Sequence, residues 1–245
     1  MIDQNNIILK SLHSHQTLSK SELFSYVHHI DPSVSLSSFT WKLHQLKKQG
    51  LINSPSQGTY SIKIKNTFTP VVSSSLKRIY NKISKEFPYL QICVWDSRWF
   101  NDLMLHQLFR YYLVIEVEKD TTEAVFHTMT DISKKVFLNP NEDIFNRYIV
   151  NFNEVIIVQS MISESPIIEL GGVKIASLEK LLVDCVADKN LFAAQQSEID
   201  FIFKAASNKY SINVNKIRRY ARRRNQLEKI ELYLNKTLAK SNELP

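Results

Sequence analysis

Residues 35–62, SLSSFTWKLHQLKKQGLINSPSQGTYSI, constrain the fold more than any other stretch of the chain. Leu36, Phe39, Leu43 and Leu46 recur at three- and four-residue steps, which marks one buried helical face. Ser35 can cap this helix, and Gly50 can end it with a positive φ. The pair LI then re-enters a core, NSPSQG turns, and TYSIKIK alternates like an edge strand. Upstream, Ser19 and Glu22 have the spacing of a capping box. They open a helix whose stripe is Leu23, Phe24, Val27 and Ile30, and Asp31-Pro32 breaks it. Ile7, Ile8 and Leu12 give an earlier helix. Three helices and a two-stranded wing make residues 1–66 a winged helix-turn-helix.

In such a unit the third helix enters the major groove of double-stranded DNA. Ser37, Ser38, Trp41, Lys42, Gln45 and Lys48 lie on the side away from the buried stripe. The serines and Trp41 are placed to reach bases or the sugar-phosphate. Lys42, Lys47, Lys48 and, on the wing, Lys63 would neutralise phosphates. Up to Pro70 seven lysines face three acids, so +4 of the whole-chain +7 sits in under a third of the length. Two alternatives stand beside this reading. The winged helix could serve protein contacts, and Trp41 could pack on the wing. His13 and His15 have no carboxylate or thiol partners nearby in sequence, so they read as surface residues and not as a metal site.

Composition narrows the classes further. The chain has 245 residues and is 44% hydrophobic, which supports two domains and a sizeable core. Cys93 and Cys185 are its two cysteines, both among apolar residues, and read as buried reduced thiols. The start, MIDQNNIILK, lacks the basic and apolar regions of a signal peptide. No apolar run reaches the roughly 18 residues of a membrane span. A cytoplasmic protein without membrane partners is expected.

KNTFTPVVSSS reads as a linker, and a second domain as spanning residues 74–245. Residues 74–86 are helical, YLQICVW is a buried strand, WFNDLMLHQLF a helix, and YYLVIEVE a second buried strand. A helix (TEAVFHTMTDISKK), a short strand (VFL), a helix (NEDIFNRYI) and a strand (EVIIVQS) follow. PIIELGGVKIAS has the form of a hairpin turning at Gly171-Gly172, and the chain from Ser177 on is almost entirely helical. The fold class is therefore α+β: a winged helix, then a mixed α/β domain with a helical C-terminal third.

No glycine is left over for a phosphate-cradling loop, and no serine sits in a nucleophile elbow. Asp96, Glu116, Glu118 and Lys119 are the residue types of a metal-dependent nuclease. Their spacing fails, because Glu118 and Lys119 are adjacent and point to opposite faces of a strand. Glu116 and Glu118 share a face without the lysine, as solvated charges at a strand end. No catalytic set, cofactor or metal is expected, and the chain reads as a binding protein, not an enzyme.

A second basic feature lies near the end. Within residues 216–224, six of nine are basic: Lys216, Arg218, Arg219, Arg222, Arg223 and Arg224. Ile217, Tyr220 and Ala221 would face the core. The arginines could extend contact along DNA, meet an acidic partner, or pair with Glu228 and Glu231 as a solvated face. Asn225 can interrupt the helix there.

The order of a winged helix, a mixed α/β middle and a helical last third resembles the AbiEi-type antitoxins of type IV toxin–antitoxin systems. The local match is GGVKIASLEKLLVDCVAD, where Ser177, Glu179, Lys180, Leu181, Leu182 and Asp184 stand in comparable places. The resemblance implies a transcriptional autorepressor that binds inverted repeats in its own promoter. It also implies an antitoxin that counters a nucleotidyltransferase-like toxin without need of a stable complex. The Arg-rich cluster and the low glycine content depart from the commoner members. A nuclease tethered by a winged helix and a regulator with a ligand-sensing second domain are the competing functions.

Overall fold

The computed structural model describes residues 4–15, 17–54, 58–62 and 66–242, with side chains to residue 237. The protein is α+β and divides into two compact units, one built on the N-terminal 66 residues and the other on Thr67–Thr237.

In the first unit α1 (Gln4–His15) leads to a short strand β1 (Thr17–Ser19), then α2 (Lys20–Ile30) and α3 (Leu36–Lys48). A hairpin of β2 (Ile52–Asn53) and β3 (Thr59–Ile62) closes the unit. The capping box forms: Ser19 Oγ accepts from Glu22 N and the Glu22 carboxylate accepts from Ser19 N at 2.7 Å. Ser35 caps α3 in the same way. Gly50 takes φ 69, which lets the chain leave α3 for β2. Ile8, Leu12, Leu23, Val27, Phe39, Leu43 and Leu46 form the core.

The sheet corrects two expectations. Its order is β1-β3-β2, so TYSI is the central strand and not an edge. β1 supplies the extra edge, with Leu18 opposite Tyr60; three residues between two helices are too short for periodicity to register. Ile30 and Leu36, expected in the buried stripes, are 51% and 55% exposed. Each sits at a helix end beside the Asp31–Ser35 connection, beyond the reach of the core.

The second unit opens with residues expected to be a linker. One of them, Phe68, belongs to its core: it is buried, edge-to-face with Trp99 and Tyr210, and Trp99 Nε1 donates to Val71 O at 3.0 Å. α4 (Ser74–Glu86) precedes β4 (Ile92–Asp96). The next helix expected is instead a short 3-10 turn, Ser97–Asp102, followed by an irregular loop to β5 (Tyr111–Val117). That loop is held by side chains: Leu105 N donates to Glu198 and Leu108 N to Asn101. α5 (Thr122–Thr130), β6 (Val136–Leu138), α6 (Glu142–Arg147) and β7 (Glu154–Ser160) follow. β8 (Ile167–Leu170) and β9 (Val173–Ala176) form the hairpin over Gly171-Gly172. α7 (Leu178–Ala187), α8 (Ile199–Lys209), α9 (Val214–Arg223) and α10 (Leu227–Asn242) complete the chain.

The six strands run in the order β6-β7-β5-β4-β9-β8. β5 and β6 are parallel to β7, β4 is antiparallel to β5, and β9 is parallel to β4. β4 and the last five residues of β5 are buried throughout, which explains their continuous apolar sequence. α7 and α9 cover the face that carries Cys93, Trp95 and Glu116, where Trp95 also stacks on Phe192 with ring centroids 5.4 Å apart.

Candidate functional site

The outer face of α3 presents a continuous polar stripe. Ser37, Ser38, Thr40, Trp41, His44, Lys47 and Lys48 are exposed, and Trp41 is 62% exposed. Ser37, Trp41, His44 and Lys48 follow one another at helical steps along that stripe. Lys42 and Gln45 are half-buried at its margin, and Lys42 lies within electrostatic range of Asp31. Trp41 does not pack into the core, so its ring is available to a ligand. Thr40 and His44, which the sequence reading did not include, complete the surface; helical periodicity alone places them beside Ser37 and Trp41. Lys63 lies outside the described residues.

The basic helix α9 is different. Arg218 is bidentate to Glu231, with Nε 2.7 Å from Oε1. Arg219 and Arg223 both approach Glu164, whose carboxyl is held below its usual range chiefly by Arg223. Arg224 is only 19% exposed, and its Nε lies 3.1 Å from Asp184. Lys216 and Arg222 make no ion pair among the described residues. Four of the six cations expected at DNA are thus matched by carboxylates of the same chain. Glu231 is one of the partners that sequence proximity suggested; Glu164 and Asp184 are brought in by the fold. Asn225, at φ 52, ends the helix where an interruption was expected.

Beneath α9 lies a polar cluster inside the apolar core. Ser177 caps α7 by accepting from Lys180 N, and the four-residue step puts Lys180 and Asp184 on one helical face. Strand pairing sets Glu116 opposite Cys93, on the sheet face that α7 covers. The Lys180 ammonium therefore meets both carboxylates: Glu116 Oε1 at 2.8 Å, and Asp184 Oδ2 in a shorter contact. Glu116 also accepts from Trp95 Nε1 at 2.9 Å and Gln159 Nε2 at 3.2 Å, and Asp184 accepts from Tyr220 OH at 2.9 Å. Lys180 and Glu116 are each 1% exposed. Burial pulls the Lys180 ammonium down, but Asp184 and Glu116 outweigh it and hold its pKa well above the usual value. Burial and then Asp184 push the Tyr220 phenol up.

This arrangement corrects the reading of Glu116 as a solvated charge. It also removes Glu118 from its side, because β5 ends at Val117 and Glu118 is exposed. Glu179 is nearly buried and accepts from Ser177 Oγ and Asn213 N. Asp96 is three residues from Cys93 along β4 and so lies on the opposite face from Glu116. It caps the 3-10 turn and pairs with Arg98. The two carboxylates do not converge, and among the described residues no three metal-ligating side chains do.

The segment Ser177–Asp184 supplies Lys180 and Asp184 to the polar cluster, and residues 38–240 match a family that takes in this segment together with most of α3. The chain belongs to DUF6577, a family of unknown function. No curated protein matches the sequence. Within the DUF6577 match lie Trp41, the lysines of α3, the buried Lys180 cluster and the whole of α9. Among the described residues no helix is long and apolar enough to cross a membrane.

Proposed function

We propose that this protein is a cytoplasmic, sequence-specific DNA-binding repressor whose first unit is a winged helix-turn-helix. The observation that carries the reading is the outer face of α3. A 13-residue helix offers small hydroxyls near its N-terminus, an exposed tryptophan at its middle and lysines at its last turn. That is the distribution a recognition helix needs, with base-edge contact early and phosphate contact late. The element order α1-β1-α2-α3-β2-β3, with β3 between β1 and β2, supports it.

The resemblance to AbiEi-type antitoxins extends the proposal. The repressor would act on inverted repeats in its own promoter and counter a nucleotidyltransferase-like toxin encoded beside it. In this reading the mechanism is recognition without chemistry. The arginines of α9 contribute less than their number suggests, because most are already paired. A salt titration against DNA upstream of the gene and a scrambled duplex tests the first part. A preference of about 10³ or more is expected for a specific operator; equal binding to both duplexes would refute it. Rescue of growth on co-expression with the adjacent reading frame tests the second.

A further inference from the structure

One cleft in the second unit plays no part in that reading. It has a volume of about 880 Å³, within the range of small-molecule sites. One wall is the loop ending at Arg110, another is α6, and the floor runs from Lys189 to Gln195. The loop is fastened by Glu198, which accepts from Leu105 N at 2.6 Å and His106 Nδ1 at 2.5 Å, so the wall is set before any ligand arrives.

Gln195 is the telling residue. It is 2% exposed and lines the cleft, and its carboxamide makes no hydrogen bond within the described residues, so the little of it that is exposed is free to bond there. A carboxamide both donates and accepts, as the edge of a nucleobase does. Phe145 offers a platform nearby, its ring fixed edge-to-face on Tyr112 at 5.9 Å. Phe109 is 90% exposed on the same lining. Arg110 and Lys189 are exposed there and make no ion pair among the described residues, against one acid, Glu142. The site thus combines an amide free to bond, aromatic faces and excess positive charge.

We propose that this cleft binds a nucleoside phosphate, with the base against Phe145 and Gln195 and the phosphate at Arg110 and Lys189. Stacking and the amide recognise the base; the cations supply charge-assisted bonds to the phosphate. The proposal is independent of DNA recognition by the first unit.

Isothermal titration of the full chain with AMP, GMP, CMP and UMP, with their nucleosides and with inorganic phosphate, tests it. At least one nucleotide should bind more tightly than its nucleoside and than phosphate. Gln195→Leu should weaken that nucleotide about tenfold. Arg110→Ala, at an exposed position that leaves the core intact, should weaken the nucleotide about tenfold or more and leave the nucleoside unchanged. Three results would overturn the proposal: no binding by any of the four nucleotides, phosphate binding as tightly as the nucleotides, or wild-type affinity in Arg110→Ala. None of these would bear on operator binding.

Discussion

Lys180 shows what a single residue does in this protein. Its ammonium is enclosed with two carboxylates, and the three charges are tolerated because each is bonded to another or to Trp95, Gln159 or Tyr220. Removing Lys180 leaves Glu116 buried without a counter-charge, while Asp184 keeps Arg224. Lys180→Met is therefore expected to cost about 3–5 kcal/mol in denaturant unfolding, far more than its lost contacts suggest. A loss below about 1 kcal/mol would show that water reaches the cluster. The pH dependence has a definite sign. Lys180 and Tyr220 both titrate above their usual values when folded, so the folded state holds their protons more tightly. Their contribution is complete below the unfolded pKa values, near 10, and is lost as pH rises from there through the folded values. Unfolding measured from pH 7 to 11 should show little change from these groups until about pH 10, then a decline that Lys180→Met makes shallower.

At the scale of elements, α3 and α9 look alike in sequence, since both are amphipathic and basic. They differ in what lies opposite their cations. Lys47 on α3 is exposed, whereas Arg224 at the C-cap of α9 is tied to Asp184, and Arg218 on α9 to Glu231. Lys42→Ala and Lys47→Ala should each lower the slope of log affinity against log salt by about one unit. Unchanged slopes in both would remove α3 from the phosphate backbone. On α9, Arg224→Ala should lower the thermal midpoint, because Asp184 is buried, while the exposed Arg222→Ala should leave it unchanged. Equal midpoints in the two variants would mean that Asp184 does not depend on its arginine.

For the whole molecule, the relevant fact is that each unit has its own core. Residues 67–237 expressed alone should unfold cooperatively and bind no operator DNA, because α3 is absent. Both thiols of that fragment are buried, and burial pushes them up, Cys93 further through Glu116. They should react with a thiol reagent only as fast as the fragment unfolds. Prompt reaction of either thiol in the native fragment would show that the core opens locally.

The sequence by itself determined what is periodic or local. Alternating and continuous apolar runs located β4, β5 and β7, the Ser19–Glu22 spacing located the start of α2, and Gly171-Gly172 located the β8–β9 turn. These signals lie within a few residues of one another, and the backbone obeys them wherever it is placed. Irregular or very short segments gave no such signal: β1, the loop before β5 and the packing of Phe68 were misread for that reason. Only the tertiary structure decided which charges meet. Glu116 and Lys180 are 64 residues apart, and Arg224 reaches an aspartate 40 residues away, so no spacing rule could pair them. Nor could composition show that Gln195 lines one cleft with α6 and the loop before β5, since these segments are distant in sequence. Short-range order is written in neighbouring residues, whereas the matching of buried charge and the shape of a cleft arise only when distant elements share one core.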